Sequence, residues 1–307
     1  MPLGIRPTND FAFKKTFGTP ENRLALISLL NAILDLPSPI VEVTLQNPYN
    51  QKDFADDKLS VLDVKAVDSF GTIYHIEMQV TVYEGLVQRI VFYGCELYAG
   101  QLKAGDDYTG LRPVYSICLI DGILWPDAKR VHRVFRLADE ETGRVLDGTL
   151  EIHTLELGRY NLQESDLPQA SMLDCWLYWF LHAHEYEPET LLRLFPQPAI
   201  RLATQTIAKI AQITEDKAMY DAREKARRDQ QTALNSAYRQ GASEGKIEGK
   251  IEGKIEGKIE DRIEMIQSLQ GILGAARSDE QELRAMTFEE LRSLTSSLQE
   301  SIRNRMS

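Results

Sequence analysis

Two strand-like segments separated by a short polar loop constrain the fold of this chain more than any other feature. KLSVLDVKAVD at 58–68 and TIYHIEMQV at 72–80 are rich in β-branched and aromatic residues, and Ser69, Phe70 and Gly71 lie between them. A glycine can adopt the positive φ that a three-residue hairpin loop requires. The spacing therefore predicts an antiparallel hairpin in which the numbers of facing residues add up to 140.

This register predicts which polar side chains meet. Asp63 is expected opposite Glu77, and Lys65 opposite His75. Because side chains alternate along a strand, His75, Glu77 and Gln79 share one face. Directly opposed carboxylates have Cβ atoms about 4.5–5.5 Å apart, and like charges at that distance are destabilising. The opposite face is predicted to be the packed one and carries Tyr74, Ile76, Met78 and Val80.

Two interpretations of the opposed carboxylates are open. In the first, Asp63 and Glu77 are half-exposed strand residues with separate partners such as Lys65 or Arg89. In the second, a divalent cation removes the repulsion, since paired carboxylates are hard oxygen ligands that suit Mg²⁺. Such a metal can deprotonate a water molecule and stabilise the charge that develops on a phosphate.

The segments around the hairpin predict a mixed α/β core. Residues 22–34 have the apolar spacing of a helix and 40–46 reads as a strand; after the hairpin, 84–102 reads as a long helix and 114–120 as a buried strand. The order is helix, three strands, helix and strand, which is one α/β domain. Two further strands are expected within 131–138 and 149–157.

The rest of the chain is expected to be helical. A helical region begins near Leu167 and runs to about Arg239, with a break at Pro196 and Pro198, and another helix is expected around 287–302. The predicted domains are a core at 1–128, a strand extension of it at 129–165, a helical region at 166–240 and a repeat-containing tail at 241–307.

Composition excludes several classes of protein. The 307 residues carry a net charge of −11, and residues 1–128 alone hold 10 basic and 16 acidic residues, so a protein that coats DNA through general basicity is excluded. The three cysteines are far apart and predict neither disulfides nor a thiolate zinc site. No apolar stretch approaches the roughly 20 residues that span a bilayer, so no membrane partner is expected.

The hairpin and several other motifs resemble a known group of proteins. An Asp on one strand, followed on the next by Glu-x-Gln within an αβββαβ core, resembles the PD-(D/E)XK nuclease superfamily. The chain is more closely similar to its Rpn family of recombination-promoting nucleases, also described as candidate transposases. The motifs that carry this resemblance are NDFAFKKTFG, LDVKAVDSFGTIYHIEMQ, Arg89-x-x-x-Tyr93, and MYDAREKARRD leading into a Gly-Lys-Glu tail.

The resemblance implies a restriction-endonuclease-like fold and metal-dependent cleavage of DNA phosphodiesters. It implies that Asp63 and Glu77 hold Mg²⁺, with Mn²⁺ as an alternative. The superfamily lysine that assists the attacking water corresponds to Gln79, which can orient water but carries no charge. Lys65, on the same strand face, and Lys14 or Lys15 are therefore candidates for the missing cation.

Other residues are expected to assist. Asp10 is either a further acid near the site, as the resemblance implies, or the N-cap of the short helix containing Phe11–Phe17. Lys14, Lys15 and Arg89 are candidates for DNA contact. The basic cluster of residues 223–228 is mixed with acids, which favours a solvated helix face with internal ion pairs over a DNA track.

The tail contains four copies of GKIE at 245–260. Glycine at every fourth position weakens a helix, so a flexible spacer is one expectation. Wound as a helix, the repeat places a stripe of isoleucines between a lysine row and a glutamate row. Two parallel copies would then pair unlike charges, which predicts a homo-oligomer through the tail.

Together with these observations, the resemblance implies a prokaryotic, cytoplasmic, Mg²⁺-dependent DNA endonuclease that works at the nucleoid. The alternative is a catalytically weak DNA-binding or recombination accessory protein, because Gln79 lacks the charge of the superfamily lysine. A purely structural oligomerisation protein is disfavoured, since it leaves the facing of Asp63 and Glu77 without a reason.

Overall fold

The computed structural model of the protein describes residues 1–47 and 64–306. The chain divides after Asp229 into two units, Met1–Asp229 and Gln230–Ser307, each with its own hydrophobic core. Within the described ranges, no helix combines the length and the apolar character needed to cross a membrane.

The first unit is built on a mixed sheet. Its strands are β1 (Thr44–Leu45), β2 (Val64–Val67), β3 (Ile73–Gln79), β4 (Val114–Ile120), β5 (His132–Arg136) and β6 (Leu150–Glu156). In the described part of the chain they lie in the order β1-β2-β3-β4-β6-β5. β2 is antiparallel to β3, β4 is parallel to both β3 and β6, and β5 returns antiparallel to β6. The predicted α/β class, with a β-hairpin extension, is confirmed.

Helices flank this sheet and continue to the end of the unit. They are α1 (Asp10–Phe17), α2 (Arg23–Leu34), α3 (Leu86–Ala99), α4 (Met172–His182), α5 (Pro188–Leu194), α6 (Pro198–Gln212) and the first residues of α7 (Thr214–Leu273). Local sequence explains where several begin. Ser171 and Asp174 form a capping box at α4, and Pro198 occupies the first turn of α6, where a missing N–H costs nothing.

The predicted hairpin is present in the predicted register. The pairs run from Val64–Ile76 to Val67–Ile73, so the residue numbers add up to 140. Gly71 has a φ of +84°, and a Cβ at this position would lie 3.0 Å from the Arg112 side chain. Both facts explain why the loop uses glycine.

The strand predicted at 40–46 is shorter than expected and covers only Thr44–Leu45. At Ile40 the Asn31 side chain competes with the sheet, because its amide donates to the Ile40 carbonyl while its oxygen accepts from the Ile40 N–H, at 2.9 and 2.7 Å. Helix α2 thus satisfies the backbone of Ile40, which leaves no group there for a sheet ladder.

Both faces of the sheet are covered at β3 and β4, so for Glu77 the interpretation as a half-exposed strand residue is wrong. Helix α3 packs on the face that carries Glu77, where Ile90 lies in one apolar cluster with Cys118 and Ile120 of β4. Leu97 lies in another with Ile73 of β3. On the other face lies the main core, which contains Phe11, Phe13, Phe17, Trp176, Trp179 and Phe180. Parallel strands are usually buried on both sides in this way.

A buried glutamate fixes the loop after β4. Glu156, at the end of β6, is fully buried and accepts hydrogen bonds from the backbone N–H groups of Leu124 and Trp125 at 3.0 and 2.9 Å. It also forms ion pairs with Arg133, at 3.2 Å, and Arg159. These contacts tie the end of β6 to the connection after β4 through Leu124 and Trp125, to β5 through Arg133 and to the turn after β6 through Arg159.

The second unit is a small helical assembly. The end of α7 packs against α8 (Glu280–Arg284) and α9 (Phe288–Met306) through Ile263, Ile266, Leu283 and Leu291. The helix α7 does not stop near Arg239 as predicted but continues through the GKIE repeat to Leu273. Of the two expectations for the repeat, the structure therefore has the helical one.

Candidate active site

The candidate site is centred on Glu77, which β3 contributes to the sheet face beneath α3. Helix α3 begins after Gly85, whose φ of +91° turns the chain back over the sheet. Its first turn carries Arg89, whose Nη2 donates to Glu77 Oε1 at 2.5 Å. Of the two partners that the sequence suggested for this face, Lys65 and Arg89, the structure pairs Arg89 with Glu77.

Two tyrosines fix the position of Arg89. Its Nη1 donates to the Tyr83 hydroxyl at 3.1 Å, and the guanidinium carbon lies 5.4 Å from the centre of the Tyr93 ring. Residues four apart share one face of a helix, which explains the Arg89-x-x-x-Tyr93 spacing. The arginine therefore meets Glu77 as a pre-oriented donor.

Glu77 is buried but not saturated with hydrogen bonds. Only 5% of the residue is exposed, and burial raises the pKa of its carboxyl, while the charge and hydrogen bond of Arg89 oppose that rise. Oε1 accepts from Arg89, whereas no hydrogen bond from a described residue reaches Oε2. A carboxylate oxygen in this state can accept a further ligand.

His75 is a neighbour of Glu77 that was predicted on this face but given no role. It is buried, and its Nδ1 lies 3.3 Å from the Ser116 hydroxyl on β4. Among the described residues its Nε2 has no hydrogen-bond partner. Burial, together with the positive charges of Lys65 and Arg89, lowers the pKa of His75 to about 4. The imidazole is therefore neutral near pH 7 and presents an unused nitrogen.

Lys65 and Gln79 also lie on this face. Lys65 faces His75 across the hairpin, and its side chain lines a cleft of about 460 Å³ beside Glu96 and Gln101 near the end of α3. Gln79 donates from Nε2 to the Thr81 carbonyl at 2.8 Å. This hydrogen bond turns the amide nitrogen away, so its carbonyl oxygen is the atom available to a ligand.

Asp63 lies outside the described residues, because the description of this strand starts at Val64. The structure pairs Val64 with Ile76 and Lys65 with His75. The predicted position of Asp63 opposite Glu77 depends on this same register. The facing of Asp63 and Glu77 therefore stays a prediction.

Asp10 lies in a second polar cluster, where α1 meets the start of α7. The N-cap of α1 is Asn9, which accepts from the backbone of Phe11 and Ala12, so the capping role considered for Asp10 belongs to its neighbour. Asp10 Oδ2 lies 3.6 Å from Arg223 Nε. Burial raises the pKa of the Asp10 carboxyl, and the positive charge of Arg223 opposes that rise.

The motif MYDAREKARRD supplies the other side of this cluster. Asn9 donates to Glu224 at 3.0 Å, and Glu224 pairs with Arg227 at 3.0 Å. The Glu224–Arg227 pair is an internal ion pair of the expected kind, whereas Arg223 and Glu224 contact α1 and its N-cap, so this part of the helix face is not solvated as expected. Sequence reasoning missed that Arg223 and Glu224 reach α1, because their partners lie more than 200 positions away.

The lysines of α1 differ in their surroundings. Lys15 pairs with the buried carboxylate of Asp216, and its ammonium lies 5.7 Å from the centre of the Phe11 ring. Lys14 is half-buried on the same helical turn. The Lys15 charge is thus compensated within the protein.

The residues present have the donor chemistry of a divalent-cation site but do not complete one alone. Within the described ranges, Glu77 offers a carboxylate oxygen and His75 a nitrogen that accept or donate no hydrogen bond, and Gln79 offers an amide oxygen. Hard oxygen donors of this kind suit Mg²⁺. No group of three His, Cys, Asp or Glu side chains that could hold a metal occurs within residues 1–47 and 64–306. The site therefore requires the second carboxylate that the sequence assigns to Asp63.

Comparison with known proteins gives one result. A family model described as PD-(D/E)XK nuclease family transposase matches residues 7–237, which include Asp10, Glu77, Arg89 and the MYDAREKARRD motif. No curated protein and no solved structure matches the chain. The match covers about three quarters of the sequence and agrees with the resemblance drawn from the motifs.

Proposed function

Because the chain belongs to the PD-(D/E)XK nuclease family transposases, we propose that it is a divalent-metal-dependent endonuclease that hydrolyses DNA phosphodiesters. The observation that carries this proposal is Glu77, a buried carboxylate held by Arg89 on the strand where the motif puts the acid, with one oxygen that no described residue contacts through a hydrogen bond. A buried, incompletely satisfied charge with a raised pKa is typical of functional sites.

We assign the metal to Asp63 and Glu77, with Mg²⁺ as the cation and Mn²⁺ as the alternative. When bound, such a cation lowers the pKa of a coordinated water and stabilises charge on the phosphate. The chain's own residues prepare the site. Arg89 holds Glu77 in place, the Gln79 carbonyl would orient a water, and Lys65 supplies a positive charge on the same sheet face.

The acidity of the chain gives this proposal a binding consequence. The net charge of −11 opposes a polyanion, so DNA should bind chiefly through the cation and a few basic residues. We propose Lys14 and Lys65 as the main DNA contacts, with Asp10, Lys15 and Arg89 as supporting residues. Binding should be weak after chelation of divalent ions.

The experiment is plasmid nicking by the purified full-length chain in Mg²⁺ or Mn²⁺. We expect Glu77→Gln and Asp63→Ala each to reduce cleavage by at least about a hundredfold, the scale at which loss of a charge-stabilising group acts. Glu84→Gln is the matched control, because it removes an exposed carboxylate a short distance along the chain. Cleavage that persists in both site variants would exclude this assignment.

The alternative is a catalytically weak DNA-binding or recombination accessory protein. Two observations favour it: Gln79 provides no charge, and Glu77 is already paired with Arg89. Wild-type protein that binds DNA in Mg²⁺ without cutting it would support the alternative. Gln79→Lys would then be the informative variant, since restored cleavage would identify the missing cation.

The proposal also covers the cellular location and the oligomeric state of the enzyme. We assign its work to DNA at the nucleoid in the cytoplasm of a prokaryotic cell, in recombination or transposition. We also propose that it assembles as a homo-oligomer through the tail at 241–307. An enzyme that must cut two strands gains from having two copies of its site.

A further inference from the structure

The GKIE repeat presents an apolar stripe that its own unit does not cover. It lies within α7, and Ile247, Ile251 and Ile255 remain 57%, 53% and 51% exposed. Ile259, the next in the row, packs partly against the core around Ile263. The uncovered part of the stripe therefore ends where the helical assembly of the second unit begins.

In the first three copies of the repeat, the charges beside this stripe have no residue of opposite charge three or four positions away in the helix. At about 100° per residue, the lysines lie on one flank of the isoleucines and the glutamates on the other, with the glycines behind. Helical neighbours are three or four positions apart, whereas each lysine is two or six positions from the nearest glutamates. Residues four apart carry the same charge, so each row repels itself.

The described contacts agree with this spacing. Within residues 64–306, the ion pair recorded for the repeat is that of Glu260 with Arg284, at its C-terminal end. Lysines 246, 250 and 254 and glutamates 248, 252 and 256 form none there. Six charges in two rows are thus available to an external partner.

We propose that the partner is a second copy of this chain, bound in parallel and in register along Ile247–Ile259. A two-fold axis parallel to the helices brings the lysine row of each copy against the glutamate row of the other, on both sides of the isoleucines. A perpendicular two-fold axis, which makes the helices antiparallel, opposes lysine to lysine and glutamate to glutamate. Charge complementarity therefore selects both the partner and its direction.

The size of the surface predicts the strength of the contact. Four isoleucines per chain bury less than the roughly 1,200–2,000 Å² of a standard stable interface. A stripe that repeats every four residues also drifts around a 3.6-residue helix, so the supercoil is right-handed and short. The dimer should consequently be concentration-dependent, and salt should weaken it because its charges are exposed.

This parallel pairing rests on the homo-oligomer proposed above and gives its contact surface and direction. It does not depend on the nuclease chemistry. An inactive protein can still pair through this stripe, and an active one can be monomeric. Nicking activity is therefore measured on every preparation, so that a failure of the pairing is distinguished from a failure of the catalytic assignment.

Sedimentation of the full-length chain tests the pairing through its charges. Replacing lysines 246, 250 and 254 by glutamate, or glutamates 248, 252 and 256 by lysine, should each abolish self-association. Mixing these two variants should restore a dimer. A variant with both rows exchanged is the matched control and should associate as the wild type does. Equal masses for the wild type and both single-row variants would overturn the proposal.

Disulfide formation tests the direction. In a Cys95→Ser background, which removes the exposed cysteine, Ile247→Cys should cross-link to itself under oxidation. An antiparallel pair would instead join an Ile247→Cys chain to an Ile259→Cys chain. Mixed cross-links without self-cross-links would overturn the parallel arrangement while leaving homo-oligomerisation standing.

Discussion

Two buried glutamates lie on the same face of the sheet, one on β3 and one on β6, and their surroundings differ. The register places Gln79 beside Ile120 and Ile120 beside Glu156, so Glu156 shares the α3 face with Glu77. Glu156 accepts from two backbone N–H groups and pairs with two arginines, whereas among the described residues Glu77 has Arg89 as its hydrogen-bonding partner. The saturated carboxylate holds a loop, and the unsaturated one can take a ligand.

The pKa values of the two carboxyls move in opposite directions. Burial pushes both upward. For Glu156, hydrogen bonds from Arg159, Trp125 and Leu124 and the charge of Arg133 overcome burial and lower the pKa. For Glu77, the single arginine does not overcome burial, so the pKa is raised. Burial alone therefore does not identify a functional carboxylate. A buried carboxylate that lacks part of its hydrogen bonds and counter-charges is the better candidate.

The largest effect on stability should come from Glu156→Gln. It leaves Arg133 and Arg159 without their buried counter-charge and should lower the free energy of unfolding by about 3 kcal/mol. Urea unfolding followed by tryptophan fluorescence measures this, since Trp125, Trp176 and Trp179 all belong to the first unit.

The control for this variant is Glu42→Gln, which removes an exposed ion pair in which Arg23 Nη1 lies 3.8 Å from Glu42 Oε1. It should lower the free energy of unfolding by less than about 1 kcal/mol. Equal losses in the two variants would contradict a structural role for the Glu156 contacts.

The Glu156 stabilisation should also depend on pH. Its folded-state pKa lies below the ordinary value of 4.5, so the unfolded chain binds the proton more readily. The stabilisation is complete above that ordinary value and is lost as the pH falls through the lowered folded value. The stability difference between wild type and Glu156→Gln should therefore shrink in acid; a difference that stays constant would show that ionisation is not its source.

Substitutions at the Glu77–Arg89 pair should have smaller and unequal effects. Arg89→Met leaves a buried carboxylate without its donor and should cost about 1–3 kcal/mol. Glu77→Gln leaves a half-exposed arginine that water can solvate, so its cost should be below about 1 kcal/mol. Both are compared by urea unfolding in EDTA. A larger loss of unfolding free energy for Glu77→Gln than for Arg89→Met would contradict the view that the buried carboxylate depends more on the pair than the arginine does.

Local sequence signals predicted much of the fold. The three-residue loop with Gly71 fixed the hairpin register, and the apolar run at 114–120 became β4 with the predicted bounds. Predictions failed where a distant side chain competed for the backbone. Asn31 competes with the first strand at Ile40, and no periodicity within 40–46 could indicate that.

The candidate site was predictable only in part for the same reason. Strand alternation put His75, Glu77 and Gln79 on one face, and the motif singled out Arg89. Alternation could not show that α3 buries this face, because the cover comes from another element. It also could not show that Arg223 pairs with Asp10.

By itself the sequence determined the order of elements, the hairpin register, the family and the charge rows of the tail, because each depends on spacing along a few dozen residues. Tertiary structure decided which carboxylate is satisfied and which is not. Glu77 and Glu156 both end in the same chemical group on similar strands. Only the donors that the fold brings to them, two backbone N–H groups and two arginines against one arginine, separate a structural contact from a candidate ligand.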